Sequence, residues 1–258
     1  MRIYPVFLSH AGCPQRCVFC NQHAAEKVKP WQQSVEESIA YIEKSNLVYD
    51  EVAFYGGTPT SSLSFISDLL EPFQPFIEAN KVRGIRLSTR PDELDKTVVA
   101  ALVDYHVTTV ELGVESFSDE VLDACGRGYH RSDVLSAYEL VKPHFNVVLQ
   151  IMVGLPKETE EDRRFAIEYT VDLHPWGVRY FPTLVLRNTV LEKMYKDGYY
   201  KPLSMDEAIH WSKTAYNSFK NAGIRVLQVG LHSSEFLTDE LVAGPYVGNF
   251  GELVRSDF

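Results

Sequence analysis

The stretch Glu51–Ser62, "EVAFYGGTPTSS", carries the alternation on which the fold turns. Residues 51–56 form a short run that reads as a strand. The Gly56–Gly57 pair lets the backbone turn and approach a ligand without a side chain in the way. Ser62 or Ser64 can then cap a helix. The same punctuation recurs on both sides: apolar runs at 3–9, 51–56, 84–89, 107–114, 146–154, 177–185 and 223–230 read as strands, with helix-period segments between them. Ser34 with Glu37, Thr159 with Asp162 and Ser204 with Glu207 resemble capping arrangements. Asp92 is placed to cap the helix that carries Leu94, Val98, Val99 and Leu102. Strands rich in Val, Ile and Leu with little alternation suit burial on both faces of a parallel sheet joined by right-handed crossovers. The expected fold is α/β, with parallel strands in a partial or complete (β/α) TIM-like barrel; a doubly wound open sheet is the alternative. In such folds the loops after the strands' carboxyl ends build the active site.

A chain of 258 residues could be one barrel or two small domains. With no repeat, low-complexity segment or linker, a single domain over residues 1–258 is expected. Its 45% hydrophobic content supports a sizeable core. Acidic residues outnumber basic ones, 35 to 25, and the net charge of -10 weighs against wholesale binding of nucleic acid or anionic membranes. No run approaches the roughly 20 apolar residues that span a bilayer, so no membrane partner is expected. The start "MRIYPVFLSH" is strand-like and is not followed by a signal-peptide core. A cytoplasmic protein fits, where closely spaced cysteines serve as metal ligands or redox groups and not as disulfides.

The loop after the first strand reads "SHAGCPQRCVFCNQH", Ser9 to His23, and holds three of the four cysteines at C-x3-C-x2-C spacing. One reading is a zinc site completed by His10, His23 or the distant Cys125. Zinc motifs more often come as paired C-x2-C elements, and no second pair exists. The other reading is a cubane iron–sulfur cluster, in which Cys13, Cys17 and Cys20 fill three of four iron positions and leave one open to a small molecule.

That spacing, with Phe19 just before the last cysteine, resembles the radical S-adenosylmethionine (radical SAM) superfamily. The resemblance implies a barrel of the radical SAM type, a [4Fe-4S] cluster, and S-adenosylmethionine bound at the open iron. It implies reductive cleavage to methionine and a 5′-deoxyadenosyl radical, which abstracts hydrogen from a substrate the sequence does not identify. An external flavodoxin- or ferredoxin-like electron donor is implied as well. Gly56, Gly57 and Thr58 of "YGGTPT" match the family's segment that binds the co-substrate's amino group. Ser88 stands where some relatives have a glutamate. "GVES" resembles the family's Gly-Val-Gln-Ser, with Glu115 at the glutamine position. Arg127 of "CGRGYHR" matches an arginine that pairs with the methionine carboxylate. Gln150 of "LQIMVGLPKET", with Ile151 and Met152, matches the segment that packs on adenine. Cys125 reads as a small buried residue.

The later stretches 179–209, 223–235 and 242–254 resemble the radical domain of the Elongator catalytic subunit and its short bacterial relatives. The resemblance divides the chain into a core of about 1–185 and an Elongator-like extension of about 186–258. Elongator's acetyltransferase domain and basic tRNA-binding extension have no counterpart in these residues, and Val247–Gly248 replace a common His-Pro. Two alternatives to the main reading stay open: a tRNA-modifying enzyme, and a non-catalytic iron–sulfur or zinc protein. Glu111, Tyr180, Thr183, Arg187, Gln228 and His232 are further candidates for contact at strand ends.

Overall fold

The computed structural model describes residues 1–14, 16–21, 29–231 and 235–256, without side chains at 235 and 236. In chain order it runs β1 (Ile3–Phe7), α1 (Trp31–Lys44), β2 (Glu51–Tyr55), α2 (Leu63–Leu70), α3 (Gln74–Glu78), β3 (Ile85–Thr89) and α4 (Lys96–Asp104). Then come β4 (Val107–Glu115), α5 (Asp119–Ala124), α6 (Arg131–Val141), β5 (Asn146–Val153), α7 (Glu160–Leu173) and β6 (Gly177–Pro182). The chain continues with β7 (Val185–Leu186), α8 (Val190–Lys196), α9 (Met205–Asn221), β8 (Arg225–Val229), α10 (Glu235–Glu240), β9 (Leu241–Ala243) and α11 (Phe250–Arg255). All seven expected strands form.

Seven strands make one sheet in the order β1-β2-β3-β4-β5-β6-β8. A doubly wound sheet reverses its strand order at a switch point. Here the order follows the chain without reversal, which excludes that alternative. A two-stranded antiparallel ribbon, β7 with β9, was not expected from the sequence. Among the described residues no helix is long and apolar enough to cross a membrane.

By internal contacts the chain divides into two compact units, the first comprising Met1–Pro14, Gln22–Gly113 and Asp133–Val147. In it β1, β2, β3 and β4 pair in parallel. Val52, Ala53, Phe54, Ile85 and Leu87 are fully buried, as strands covered on both faces require. Phe54 meets Phe73 edge to face at 5.4 Å. Ser62 caps α2 by accepting from the Phe65 N–H at 3.1 Å. The cap of α4 is Asp95, whose carboxylate accepts from the Val98 N–H at 2.8 Å. Asp92 instead accepts from Nε and Nη2, one edge of the Arg90 guanidinium, at 2.9 and 2.7 Å, because Pro91–Glu93 forms a separate 3-10 turn before the helix begins. Ser34 likewise lies inside α1 and not at its start, and Glu37 pairs with Lys29 at 2.6 Å.

Deep in this unit Arg86, fully buried, reaches Glu51 and Glu111, each at 2.7 Å. Glu51 also accepts from the hydroxyls of Thr108 at 2.9 Å and Thr109 at 2.6 Å. Burial opposes the charge on Arg86, but Glu111 and Glu51 more than offset it and raise its pKa. Glu111, expected near a ligand, is therefore committed to the interior.

The second unit comprises Gln15–Asn21, Val114–Ser132 and Val148–Phe258. In it β5, β6 and β8 pair in parallel. Val148, Leu149, Ile151, Val153 and Val178 are fully buried or nearly so. Two of the three expected capping boxes form, Thr159 with Asp162 at α7 and Ser204 with Glu207 at α9. Each is worth about 1 kcal/mol to its helix.

Candidate active site

In the first unit the loop after β1 is laced to the loop after β2. The His10 N–H donates to the Gly56 carbonyl at 2.5 Å and the Thr58 N–H to the Ala11 carbonyl at 2.9 Å. Gly57 makes this approach possible: a Cβ there would sit 2.6 Å from the Ala11 oxygen and 2.9 Å from Leu8 Cβ. Gly56 has φ +76° and nothing within 4 Å of where a Cβ would stand, so the two glycines differ in purpose. One seats the cysteine loop; the other leaves an open flank. Thr58, 1% exposed, brings its hydroxyl to 3.3 Å from Cys13 Sγ. Thr60 and Thr89 join hydroxyls behind it. Burial lowers the pKa of His10, and its Nδ1 is buried without a hydrogen-bond partner among the described residues.

In the second unit the dipeptide between Cys17 and Cys20 is an anchor. Val18 donates its N–H to the Cys125 carbonyl at 3.0 Å and accepts from the Leu191 N–H at 2.8 Å. Val18 and Phe19 pack on two apolar clusters, Val121–Cys125–Leu155 and Val185–Leu191–Tyr200. Asn21 donates to Glu240 at 3.1 Å. Cys125 is fully buried, and burial raises its thiol pKa far above the ordinary range, as suits a core residue.

Arg127, 6% exposed, donates from Nε to the Tyr129 hydroxyl at 2.8 Å and from Nη1 to Cys17 Sγ at 2.9 Å. Its Nη2 stands 3.5 Å from Glu115 Oε1. Burial works against its charge, but Tyr129, Glu115 and Cys17 outweigh burial and raise its pKa. Two residues expected to meet a co-substrate, Glu115 and Arg127, thus meet each other.

Gln150 lies half-buried on β5 beside Arg179 of β6, and Met152 packs on the Val121–Cys125–Leu155 cluster. Ser88 is nearly buried, and so is Tyr180. Thr183 is buried with no partner for its hydroxyl among the described residues. Arg187 donates to the Asp239 carbonyl at 3.0 Å. Gln228 pairs with Arg179 and donates to the Gly230 carbonyl at 2.9 Å. His23 and His232 lie outside the described residues.

Sequence reasoning passed over Glu158. Its carboxylate, 3% exposed, accepts from the Gly154 N–H at 2.5 Å and from Arg163 Nε at 2.9 Å. Burial nevertheless pushes its pKa up to about 7, with those two partners pulling the other way. A carboxyl whose folded-state pKa lies above its unfolded value stabilises the fold at low pH and loses that contribution as pH rises through the folded value. Unfolding free energy should therefore fall from pH 4.5 to above 7 by up to about 3 kcal/mol for this group. Urea titrations across that range should show the decline in the parent and a flatter profile in Glu158→Gln.

Among the described residues no three His, Cys, Asp or Glu side chains are grouped closely enough to hold a metal ion. Cys13, Cys17 and Cys20 are half-buried, and none is disulfide-bonded. Thr58 and Arg127 each approach a sulfur, as the surroundings of an anionic iron–sulfur centre require. The residues fit the group.

The family model described as the Radical SAM superfamily matches residues 8–170, more than half of the chain, and a Radical_SAM C-terminal domain model matches 175–258. A tRNA uridine(34) acetyltransferase from Methanocaldococcus infernus is 31% identical over 194 residues, covering 73% of this chain and 36% of that protein. The solved archaeal Elp3 of Methanocaldococcus infernus, with its N-terminus deleted, matches at TM-score 0.76 and 24% identity over 98% of this chain and 61% of that one. Coproporphyrinogen III oxidase from Escherichia coli, described as a radical SAM enzyme, matches at TM-score 0.64 and 19% identity, over 86% of this chain and 52% of that one. These likenesses match the expected fold, a TIM-like arrangement of parallel strands. The chain spans between 35% and 66% of the length of the first curated relatives it matches. The resemblance noted in the cysteine loop is thus matched along both halves of the sequence, and the chain belongs to the Radical SAM superfamily.

Proposed function

We propose that the chain is a radical SAM enzyme that holds a [4Fe-4S] cluster on Cys13, Cys17 and Cys20 and binds S-adenosylmethionine at the iron these thiolates leave open. When bound, the two supply reductive cleavage of the sulfonium carbon–sulfur bond to methionine and a 5′-deoxyadenosyl radical, which abstracts hydrogen from an unidentified substrate. The chain's own residues hold and orient. Thr58 and Arg127 donate toward sulfur, Val18 and Phe19 root the loop in apolar packing, and Gly57 lets the second loop lie against the first. Phe19, Gly56, Gly57, Thr58, Glu115, Arg127 and Gln150 are the candidate co-substrate contacts. A flavodoxin- or ferredoxin-like protein supplies the electron, and a reducing cytoplasm suits the thiols. Residues of about 1–185 form the core and about 186–258 the extension.

The observation that carries this reading is the three-thiol loop, free of disulfides, inside the segment matched by the Radical SAM model. Anaerobic reconstitution should give about four irons per chain, as a cubane centre contains. Dithionite with S-adenosylmethionine should then yield 5′-deoxyadenosine. One tightly bound zinc without cleavage would support a structural metal protein instead.

A second reading, that the substrate is a tRNA, is favoured by relatives named tRNA uridine(34) acetyltransferase. The net charge of -10 opposes it. Retention of tRNA by the purified chain, weakening steeply with salt, would support it; no retention at low salt would remove it.

A further inference from the structure

We propose that Glu158 and Tyr200 are positioning residues for the co-substrate's adenine. Together they fix the carboxyl end of β5, the strand that carries Gln150, Ile151 and Met152. The role rests on the co-substrate reading above and names what holds that part of the site. The Thr183 N–H donates to the Val153 carbonyl at 2.8 Å and continues the pairing of β6 with β5 past Pro182. At the next residue side chains take over. The Gly154 N–H donates to Glu158 Oε2 at 2.5 Å, and the Gly154 carbonyl accepts from the Tyr200 hydroxyl at 2.6 Å. Both of these side chains are buried.

Three parts of the second unit build this clamp. Lys157 takes φ 63°, a left-handed conformation that a non-glycine residue seldom adopts, and the Glu158 N–H donates to the Leu155 carbonyl at 3.1 Å. That tight turn folds the Glu158 carboxylate back onto Gly154. Arg163 of α7 holds the carboxylate from Nε at 2.9 Å and the Glu158 carbonyl from Nη2 at 3.4 Å. Its guanidinium lies 5.5 Å from the centre of the Trp211 ring of α9. Tyr200 comes from the part of the chain matched by the C-terminal domain model. So does Leu203, whose Cγ lies 2.9 Å from where a Cβ on Gly154 would stand. Gly154, at φ +82°, is thus held through both of its polar groups and has no room for a side chain.

In folds of this kind the carboxyl ends of the strands build the site, and a displacement of about 1 Å there costs on the order of 100-fold in rate. A flat, uncharged heterocycle is held by packing and by fixed backbone groups, so its affinity depends on how firmly that backbone is held. A hydrogen bond to a buried carboxylate is stronger than one between neutral groups and fixes a single direction. The methionine half of the co-substrate is held by the open iron in the same reading. The clamp therefore governs the adenine half alone.

The experiment uses anaerobically reconstituted protein with Tyr200→Phe, Glu158→Ala and Glu158→Gln substitutions. Iron and sulfide counts and thermal melts verify loading and folding. Hydrogen exchange read by mass spectrometry follows the peptide through Gly154. Equilibrium dialysis gives affinities for S-adenosylmethionine and for methionine, which lacks adenine. Tyr200→Phe should weaken S-adenosylmethionine binding about fivefold, the worth of one hydrogen bond. Glu158→Ala should weaken it about 20-fold and speed exchange at Gly154 at least about tenfold. Glu158→Gln keeps an oxygen for the Gly154 N–H and should recover most of both losses. Methionine affinity should stay within about twofold throughout, since no contact to it is removed. Should Glu158→Ala not fold, Tyr200→Phe carries the test, because it removes a single hydroxyl. Equal losses for both ligands would mean a general loosening of the site, and unchanged S-adenosylmethionine affinity in the folded variants would mean that the strand end needs no clamp. Either result overturns this inference and leaves the functional reading standing if the parent still cleaves S-adenosylmethionine. A parent protein that takes up no four-iron cluster would overturn both.

Discussion

Serine in place of Cys13, Cys17 or Cys20 should reduce iron uptake from about four per chain to below about one and lower 5′-deoxyadenosine formation by at least about 100-fold. In the proposed cubane each of the three thiolates holds one iron. The loss of one leaves two protein ligands and two positions open to solvent. A serine hydroxyl is a hard, weakly acidic donor that does not replace a soft thiolate on iron. The effect should be the same in kind at all three positions, although their surroundings differ. Cys13 lies near the Thr58 hydroxyl, and Cys17 accepts from Arg127. Cys125→Ala provides the contrast. That side chain is fully buried with Val121 and Leu155 in the apolar cluster on which Val18 and Phe19 pack. Iron content should be unchanged, and the cost should be limited to a small cavity. Iron and sulfide analysis beside visible absorption distinguishes the cases. If Cys125→Ala lost iron while one of the loop variants kept it, the ligand assignment would be wrong.

The second large effect is on stability. Arg86→Leu should lower unfolding free energy by about 3–5 kcal/mol, the range for breaking a buried ion pair by removing one partner. Against a typical total of about 5–15 kcal/mol this is a major fraction. The reason is the two carboxylates left behind: Glu51 and Glu111 are 3% and 0% exposed, and both are paired with Arg86 at 2.7 Å. Combining Arg86→Leu with Glu51→Gln and Glu111→Gln should recover much of the loss, because neutral amides do not leave buried charge unpaired. Urea midpoints at constant slope give the comparison. A single Arg86→Leu variant as stable as the parent would show that the network contributes nothing.

The strands were legible because a buried parallel strand writes its environment as a continuous apolar run, and the helices capped by Thr159 and Ser204 were legible because a capping box is closed within four residues. Asp92 misled for the same local reason. It has the chemistry of a cap, but Arg90 beside it takes its carboxylate, and Asp95 three residues on performs the capping. The ribbon of β7 and β9 was not legible because two- and three-residue strands leave no periodic signal.

The sequence alone determined the order of strand and helix, the three-thiol spacing and the family, since each is encoded in residue types at short separation. Only the tertiary structure decided which polar side chain meets which. Arg127 with Cys17, Arg86 with Glu111 and Asn21 with Glu240 are joined across separations of 110, 25 and 219 residues. No local pattern specifies such pairings. They follow from strand register and from turns that bring distant loops together, and in a low-dielectric interior their partners set what each charged group can do.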